Sequence, residues 1–140
     1  MKHVTLITDG ACNPNPGRGG WAAILRYGDA RRELSGGAEF TTNNRMEMQA
    51  VIAGLSAIKE RCAVTVRTDS KLVITVCELT GPRWVSGKKK KTPKNSDLLL
   101  ELMALMQKHE VTFEWVKGHN GDPDNERADY LAEEQCRRPF

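Results

Sequence analysis

Leu6-Ile7-Thr8-Asp9-Gly10 and Val64-Thr65-Val66-Arg67-Thr68-Asp69-Ser70 are near copies of each other. Each is a β-rich run that closes on Thr-Asp and a small residue, so each reads as a strand ended by an aspartate. If the two strands are parallel neighbours, a right-handed crossover through the helix between them brings both aspartates to one edge of the sheet. Adjacent strands lie about 4.8 Å apart, so the carboxylates can share a metal cluster. Open α/β sheets also bind ligands beyond the carboxyl ends of their strands. Two close carboxylates repel, and a hard divalent cation relieves that repulsion. Aspartate before Gly or Ser is equally ordinary turn chemistry, and both readings stay open at this point.

Around these two strands the pattern is that of an α/β domain with a mixed sheet. Val4 to Thr8 is the first strand, and the segment 11–20, with two prolines and three glycines, reads as a loop. Trp21 to Tyr27 is a second strand, and Gly28-Asp29 turns into a short third one over Arg31 to Ser35. Thr42, Asn43 and Asn44 are all helix-capping types, followed at helical spacing by Met48, Val51, Leu55 and Ile58. After the strand Ala63 to Thr68, a helix from Ser70 to about Leu79 is stopped by Gly81-Pro82. Ser96 can cap a helix through Leu98, Leu102, Leu105 and Met106, a strand runs from Val111 to Val116, and Asp122-Pro123 opens a last helix. Trp21, Trp115, Phe113 and the Leu98 to Met106 stripe read as core. The order β-β-β-α-β-α-α-β-α, without repeat or linker, is read as a single domain over residues 1–140.

Composition excludes several classes. A hydrophobic content of 39% and a charged content of 28% are those of an ordinary globular chain. No apolar run reaches the roughly 18 residues of a membrane span, and no signal peptide is visible, so a cytoplasmic location is expected. Cys12, Cys62, Cys77 and Cys136 form neither a CxxC pair nor a zinc set and read as reduced thiols. The net charge of +3 is modest, but residues 83–94 carry six cations and no acid.

The chain resembles the type 1 ribonucleases H, and five ordered blocks carry the resemblance. They are Thr8-Asp9-Gly10-Ala11-Cys12 with Asn15-Pro16-Gly17; Thr41-Thr42-Asn43-Asn44-Arg45-Met46-Glu47; Thr68-Asp69-Ser70; Trp115-Val116-Lys117-Gly118-His119; and Asn125-Glu126-Arg127-Ala128-Asp129. The resemblance implies a five-stranded mixed sheet flanked by helices on both faces. It also implies hydrolysis of the RNA strand of RNA/DNA hybrids to 5′-phosphate and 3′-hydroxyl ends. Four metal-binding acids are implied at Asp9, Glu47, Asp69 and Asp129, with two Mg²⁺ ions, for which Mn²⁺ can substitute, roughly 3.5–4 Å apart. A proton-transferring histidine is implied at His119, whose ordinary pKa suits the role.

Residue by residue, the bland reading stands beside the functional one. Glu47, placed in the first turn of its helix, also reads as an acid favoured by the helix dipole. Asp129 shares a helix face with Glu126; spacing does not choose between them, and the resemblance favours Asp129. For the substrate, the resemblance assigns Gly10, Cys12, Asn15, Asn43 and Asn44 to sensing 2′-hydroxyls, a task that amides and backbone groups suit. Asn43 and Asn44 are capping residues on the other reading. Thr42, Arg45 and Asn95 resemble the family's pocket for a DNA-strand phosphate. Lys71 stands where the family often has Gln, and a lysine there suits a phosphate contact. Trp84 reads either as a stacking surface for the DNA strand or as packing beneath a loop. Lys88, Lys89, Lys90 and Lys91, in a basic protrusion shorter than that of many bacterial members, are expected phosphate contacts. A monomer with no obligate protein partner is expected. The alternatives are a non-catalytic hybrid-binding module and a DNA-processing nuclease of the same fold.

Overall fold

The structure is a computed structural model that describes residues 1–118 and 121–138. Five strands form one sheet: β1 (His3–Cys12), β2 (Gly17–Tyr27), β3 (Ala30–Thr41), β4 (Ala63–Thr68) and β5 (Glu110–Trp115). Their order is β3-β2-β1-β4-β5. The β1–β2 and β2–β3 pairs are antiparallel, whereas β1–β4 and β4–β5 are parallel. The two Thr-Asp strands are thus neighbours in the sheet, and Ile7 pairs with Arg67, so Asp9 and Asp69 stand at matching positions just past the last β1–β4 pair, although β1 itself continues through Asp9 to Cys12 against β2.

Helices cover both faces, as alternation in the strands requires. Leu6, Val64 and Val66 point to one side and pack with Val51 and Leu55 of α1 (Asn43–Ala57) and Leu99 and Leu102 of α4 (Ser96–Gln107). Ile7, Ala22 and Ile24 point to the other and meet Ala128 and Ala132 of α5 (Pro123–Arg137). Burying side chains such as Leu6 and Ile7, at 0% and 1% exposure, stabilises the fold by about 2 kcal/mol each. No helix among the described residues is long and apolar enough to cross a membrane. All four cysteines are free and buried.

Several sequence expectations are corrected. The expected loop 11–20 is mostly sheet: β1 runs to Cys12, β2 starts at Gly17, and Ala11 and Cys12 pair with Gly20 and Gly19. The glycines serve close approach there. A Cβ on Gly20 would lie 2.2 Å from the Ala132 carbonyl of α5, so only glycine lets the helix lie on the sheet. The third strand likewise runs twelve residues instead of five, because Gly36 and Gly37 stay paired with Trp21 and Gly20.

Gly81-Pro82 does not stop the helix after β4. The chain passes from α2 (Lys71–Thr75) through a π turn (Val76–Thr80) into α3 (Gly81–Val85). Gly81 N–H reaches back to the Val76 carbonyl, five residues earlier, and this wider turn takes up the lost donor and bulk of Pro82. At α4 the capping position is Asn95, held at a φ of 58°, rather than Ser96. Trp21 and Phe113 are half-buried, and Trp84 packs partly buried against the main core. Trp115, expected in that core, is 47% exposed.

Candidate active site

The stretch of β1 at Asp9, the end of β4, the second turn of α1 and the face of α5 converge on one point. Asp9 lies within β1 directly after the buried residues Leu6, Ile7 and Thr8, and its Oδ1 accepts from the Gly10 N–H at 2.9 Å. A Cβ on Gly10 would lie 2.5 Å from the Glu47 nitrogen, so this glycine lets α1 come down onto the strand end. Glu47 sits one turn further into α1 than expected, and the first turn holds no acid. Its position follows from packing against β1, not from the helix dipole. Oxygens of Asp9, Glu47 and Asp69 all lie within 4.8 Å of one another.

Such a group is electrostatically costly. Burial pushes the Asp9 carboxyl up to about 8, with the charges of Asp69 and Asp129 adding to the rise and the Gly10 N–H opposing it. Glu47 is held well above the usual carboxylate range by burial first and then by Asp9 and Asp69. Glu47 Oε1 is buried without a hydrogen-bond partner among the described residues, a state that a cation relieves. An all-oxygen donor set suits a hard divalent ion.

Asp129 enters from α5. It hydrogen-bonds with Asp9 and raises its pKa, but stands outside the tight group of three. A cavity of about 20 Å³, room for one water, is lined by Asp9, Asp69, Asn125, Glu126 and Asp129. Glu126 is an exposed part of the same wall. A wider groove continues past Gly10, Asn13 and Asn43 along Asp129 and Glu133.

The other expected residues divide. Thr42 alone caps α1, accepting from Arg45 N–H at 3.2 Å. The side chains of Asn43 and Asn44 are therefore released from capping. Asn15 ties its loop to the helix start by accepting from the Asn43 N–H at 3.2 Å. Cys12 lies in the wall of the same groove. Its thiol is buried within 3.2–3.4 Å of the carbonyls of Pro14, Gly17 and Thr41, any one of which can accept its single S–H, so the side chain braces the turn.

Arg45 and Asn95 do meet, at 3.2 Å. The guanidinium is also held by Asp97 in a bidentate pair at 3.0 and 2.7 Å, which lowers the Asp97 pKa to about 2. Sequence reading missed Asp97, since nothing in its local pattern links α4 to α1. Lys71 lies with its Nζ 4.6 Å from the Trp115 ring centroid. Lys88, Lys90 and Lys91 are exposed and Lys89 is half-buried. Trp84 keeps only part of its surface for any ligand. His119 lies outside the described residues. Asn125, also missed, has both amide atoms buried and unpartnered among the described residues, in the wall of the acid cavity.

Comparison with known proteins gives the family and the fold. The family model described as RNase H matches residues 1–137. A protein of Rhizobium meliloti (strain 1021) named Ribonuclease H is 49% identical, over 94% of this chain and 89% of that protein. The crystal structure of LC9-RNase H1, described as a type 1 RNase H with the type 2 active-site motif, is similar with a TM-score of 0.84 and 29% identity, covering 97% of this chain and 72% of that one. LC11-RNase H1, solved in complex with an RNA/DNA hybrid, shares the fold with a TM-score of 0.68 at 24% identity, covering 94% of each chain.

Proposed function

The chain belongs to the RNase H family, and on that premise we propose that it hydrolyses the RNA strand of RNA/DNA hybrids with divalent cations held by Asp9, Glu47, Asp69 and Asp129. The observation that carries the reading is the group of carboxylate oxygens within 4.8 Å of one another, in which Glu47 Oε1 is buried and unpaired. Bound there, two Mg²⁺ ions, or Mn²⁺ in their place, supply an acidified water and positive charge for the leaving oxygen.

The chain's own residues do the rest. Asn43 and Asn44, free of capping, present amides to 2′-hydroxyls along the groove that holds Gly10 and Asn43. Gly10 and Asn15 shape that groove by closing the strand end and the loop onto α1. Arg45, steadied by Asn95 and Asp97, takes a DNA-strand phosphate together with Thr42. Lys88 to Lys91 extend the phosphate contacts, and Trp84 adds whatever of its face the core leaves open. His119 moves a proton at the cleaved phosphate, leaving 5′-phosphate and 3′-hydroxyl ends. This reading takes the enzyme as a monomeric cytoplasmic domain, which light scattering and cell fractionation check.

The test is cleavage of labelled RNA/DNA hybrid, RNA duplex, DNA duplex and single-stranded RNA, each with Mg²⁺, Mn²⁺ or chelator. Only the hybrid should be cut, only in its RNA strand, and only with cation. Asp69→Asn and Glu47→Gln should be inactive while keeping the wild-type circular dichroism. Full cleavage by either folded variant, or cleavage in chelator, refutes the reading.

A further inference from the structure

Trp115 closes β5 beside Asp69, and two contacts hold it there. Its Nε1–H donates to the Asp69 backbone carbonyl at 3.1 Å, and Lys71 Nζ stands 4.6 Å from its ring centroid. Stability explains neither well. With 47% of its surface exposed, the indole gives up much of the burial that makes tryptophan a core residue. Lys71 occupies the first position of α2, the positive end of a helix, where the dipole favours an acid and opposes a cation. Among the described residues Lys71 has the indole and no acid as its partner.

We propose that Trp115 is a positioning residue for the reaction: its N–H fixes the end of β4 that carries the Asp69 carboxylate, and its ring steadies Lys71 for an RNA-strand phosphate next to the one cleaved. The proposal rests on the acid cluster being the site of hydrolysis. The strand being cut must pass over the acids, so a cation two residues from Asp69 meets that strand's neighbouring phosphate. An exposed cation–π contact orders the long lysine chain yet is weak enough to be shared with an incoming anion. Trp115 therefore links a group that acts on kcat to one that acts on affinity.

Trp115→Phe keeps the ring and removes the N–H. It should lower kcat on the order of 10-fold through a displaced carboxylate, with KM unchanged. Lys71→Gln should do the opposite, raising the Kd for hybrid bound in chelator several-fold. It should also reduce the slope of log K against log salt by about 0.9, the share of one phosphate. Trp115→Leu should lose affinity as Lys71→Gln does, and the double variant should lose little more, since the two act as a unit. A neutral methylphosphonate beside the cleavage site in the RNA strand should erase the difference between wild type and Lys71→Gln.

Full kcat in Trp115→Phe together with full affinity in Trp115→Leu overturns the proposal, as does erasure of the lysine effect by a DNA-strand methylphosphonate instead. If Trp115→Leu does not fold, Trp115→Phe and Lys71→Gln decide alone. Asp69→Asn runs alongside. Cleavage by that variant fails the underlying reading, whereas its inactivity beside normal Trp115 variants fails the positioning role only.

Discussion

Asp9→Asn should make the metal-free protein more stable, although it removes one of the proposed metal ligands. The Asp9 carboxyl is held at about 8 instead of 3.8, by burial and by the charge of Asp69. At pH 7, about 3 pH units above the unfolded-chain value, the folded protein therefore holds a proton that the unfolded chain has released, at a cost of about 4 kcal/mol. Asparagine carries no such cost, and its Oδ1 can still accept from the Gly10 N–H. Glu47 and Asp69 remain to repel each other, so a gain of roughly 2–4 kcal/mol is expected, or roughly 6–15 °C in Tm for a domain of this size. Because the folded pKa is raised, this part of the stability is present below about pH 4 and is lost as pH rises toward 8. Thermal melts in chelator from pH 4 to 8 measure it: wild type should lose Tm across that window, and Asp9→Asn should lose much less. Adding Mg²⁺ should raise the wild-type Tm at pH 7 and raise that of the variant far less. A variant no more stable than wild type, with the same pH slope, refutes the claim that the cluster stores unfavourable charge.

Three further predictions concern other parts of the molecule. His119→Ala should slow hydrolysis by about 10²–10⁴ with little change in KM; an unchanged rate in steady-state assays removes His119 from the proton transfer. Replacing Lys88 to Lys91 by alanine should raise KM and flatten its dependence on salt, and a KM series from low to high salt that matches wild type would make the run a solubilising surface. His109 is buried, accepts from the Cys62 N–H at 3.2 Å and has its pKa lowered by burial and then by Arg61. Its folded value lies below the unfolded one, so its contribution is present above about pH 6.5 and is lost as pH falls below that. In the Asp9→Asn background, which suppresses the opposing slope of the acids, Tm should fall on acidification below pH 6.5, and His109→Gln should flatten that fall.

The sheet was legible wherever local rules agree with the fold. Period-two runs marked β1 and β4, though only β4 stops at its aspartate, and the capping residues Thr42 to Asn44 marked the start of α1, where Thr42 is the cap observed. Errors came where one residue type carries two meanings. The glycines of 17–20 signal a loop by composition, yet Gly20 is there so that α5 can lie on β2. Gly81-Pro82 signals a stop, yet a π turn carries the helix through it. Trp115 has the hydrophobicity of a core residue, and only its place at the mouth of the site shows what its exposed ring is beside. In each case a tertiary contact overrides a local preference that is worth no more than a few kcal/mol.

The site was legible for a different reason at each residue. Asp9 and Asp69 follow from strand parity and the parallel register of β1 on β4, which a sequence can encode in two similar runs. Glu47 and Asp129 lie on helices whose rotation about the sheet is set by packing, so spacing alone left them as ordinary solvated acids. For Glu47, electrostatics makes the separation. A carboxylate held well above its normal range by burial, with an unpaired buried oxygen, destabilises the metal-free fold at neutral pH. Arg45 shows the complementary case. Its charge is already balanced by Asp97, at a pKa of about 2, in a fully formed pair, so its orientation needs no ligand. On the proposed function, the phosphate side is preorganised without substrate, whereas a bound cation would relieve the acid side. On that reading, cation and hybrid act on different terms of the free energy: the cation would relieve repulsion the fold already contains, whereas the hybrid would meet groups already in place.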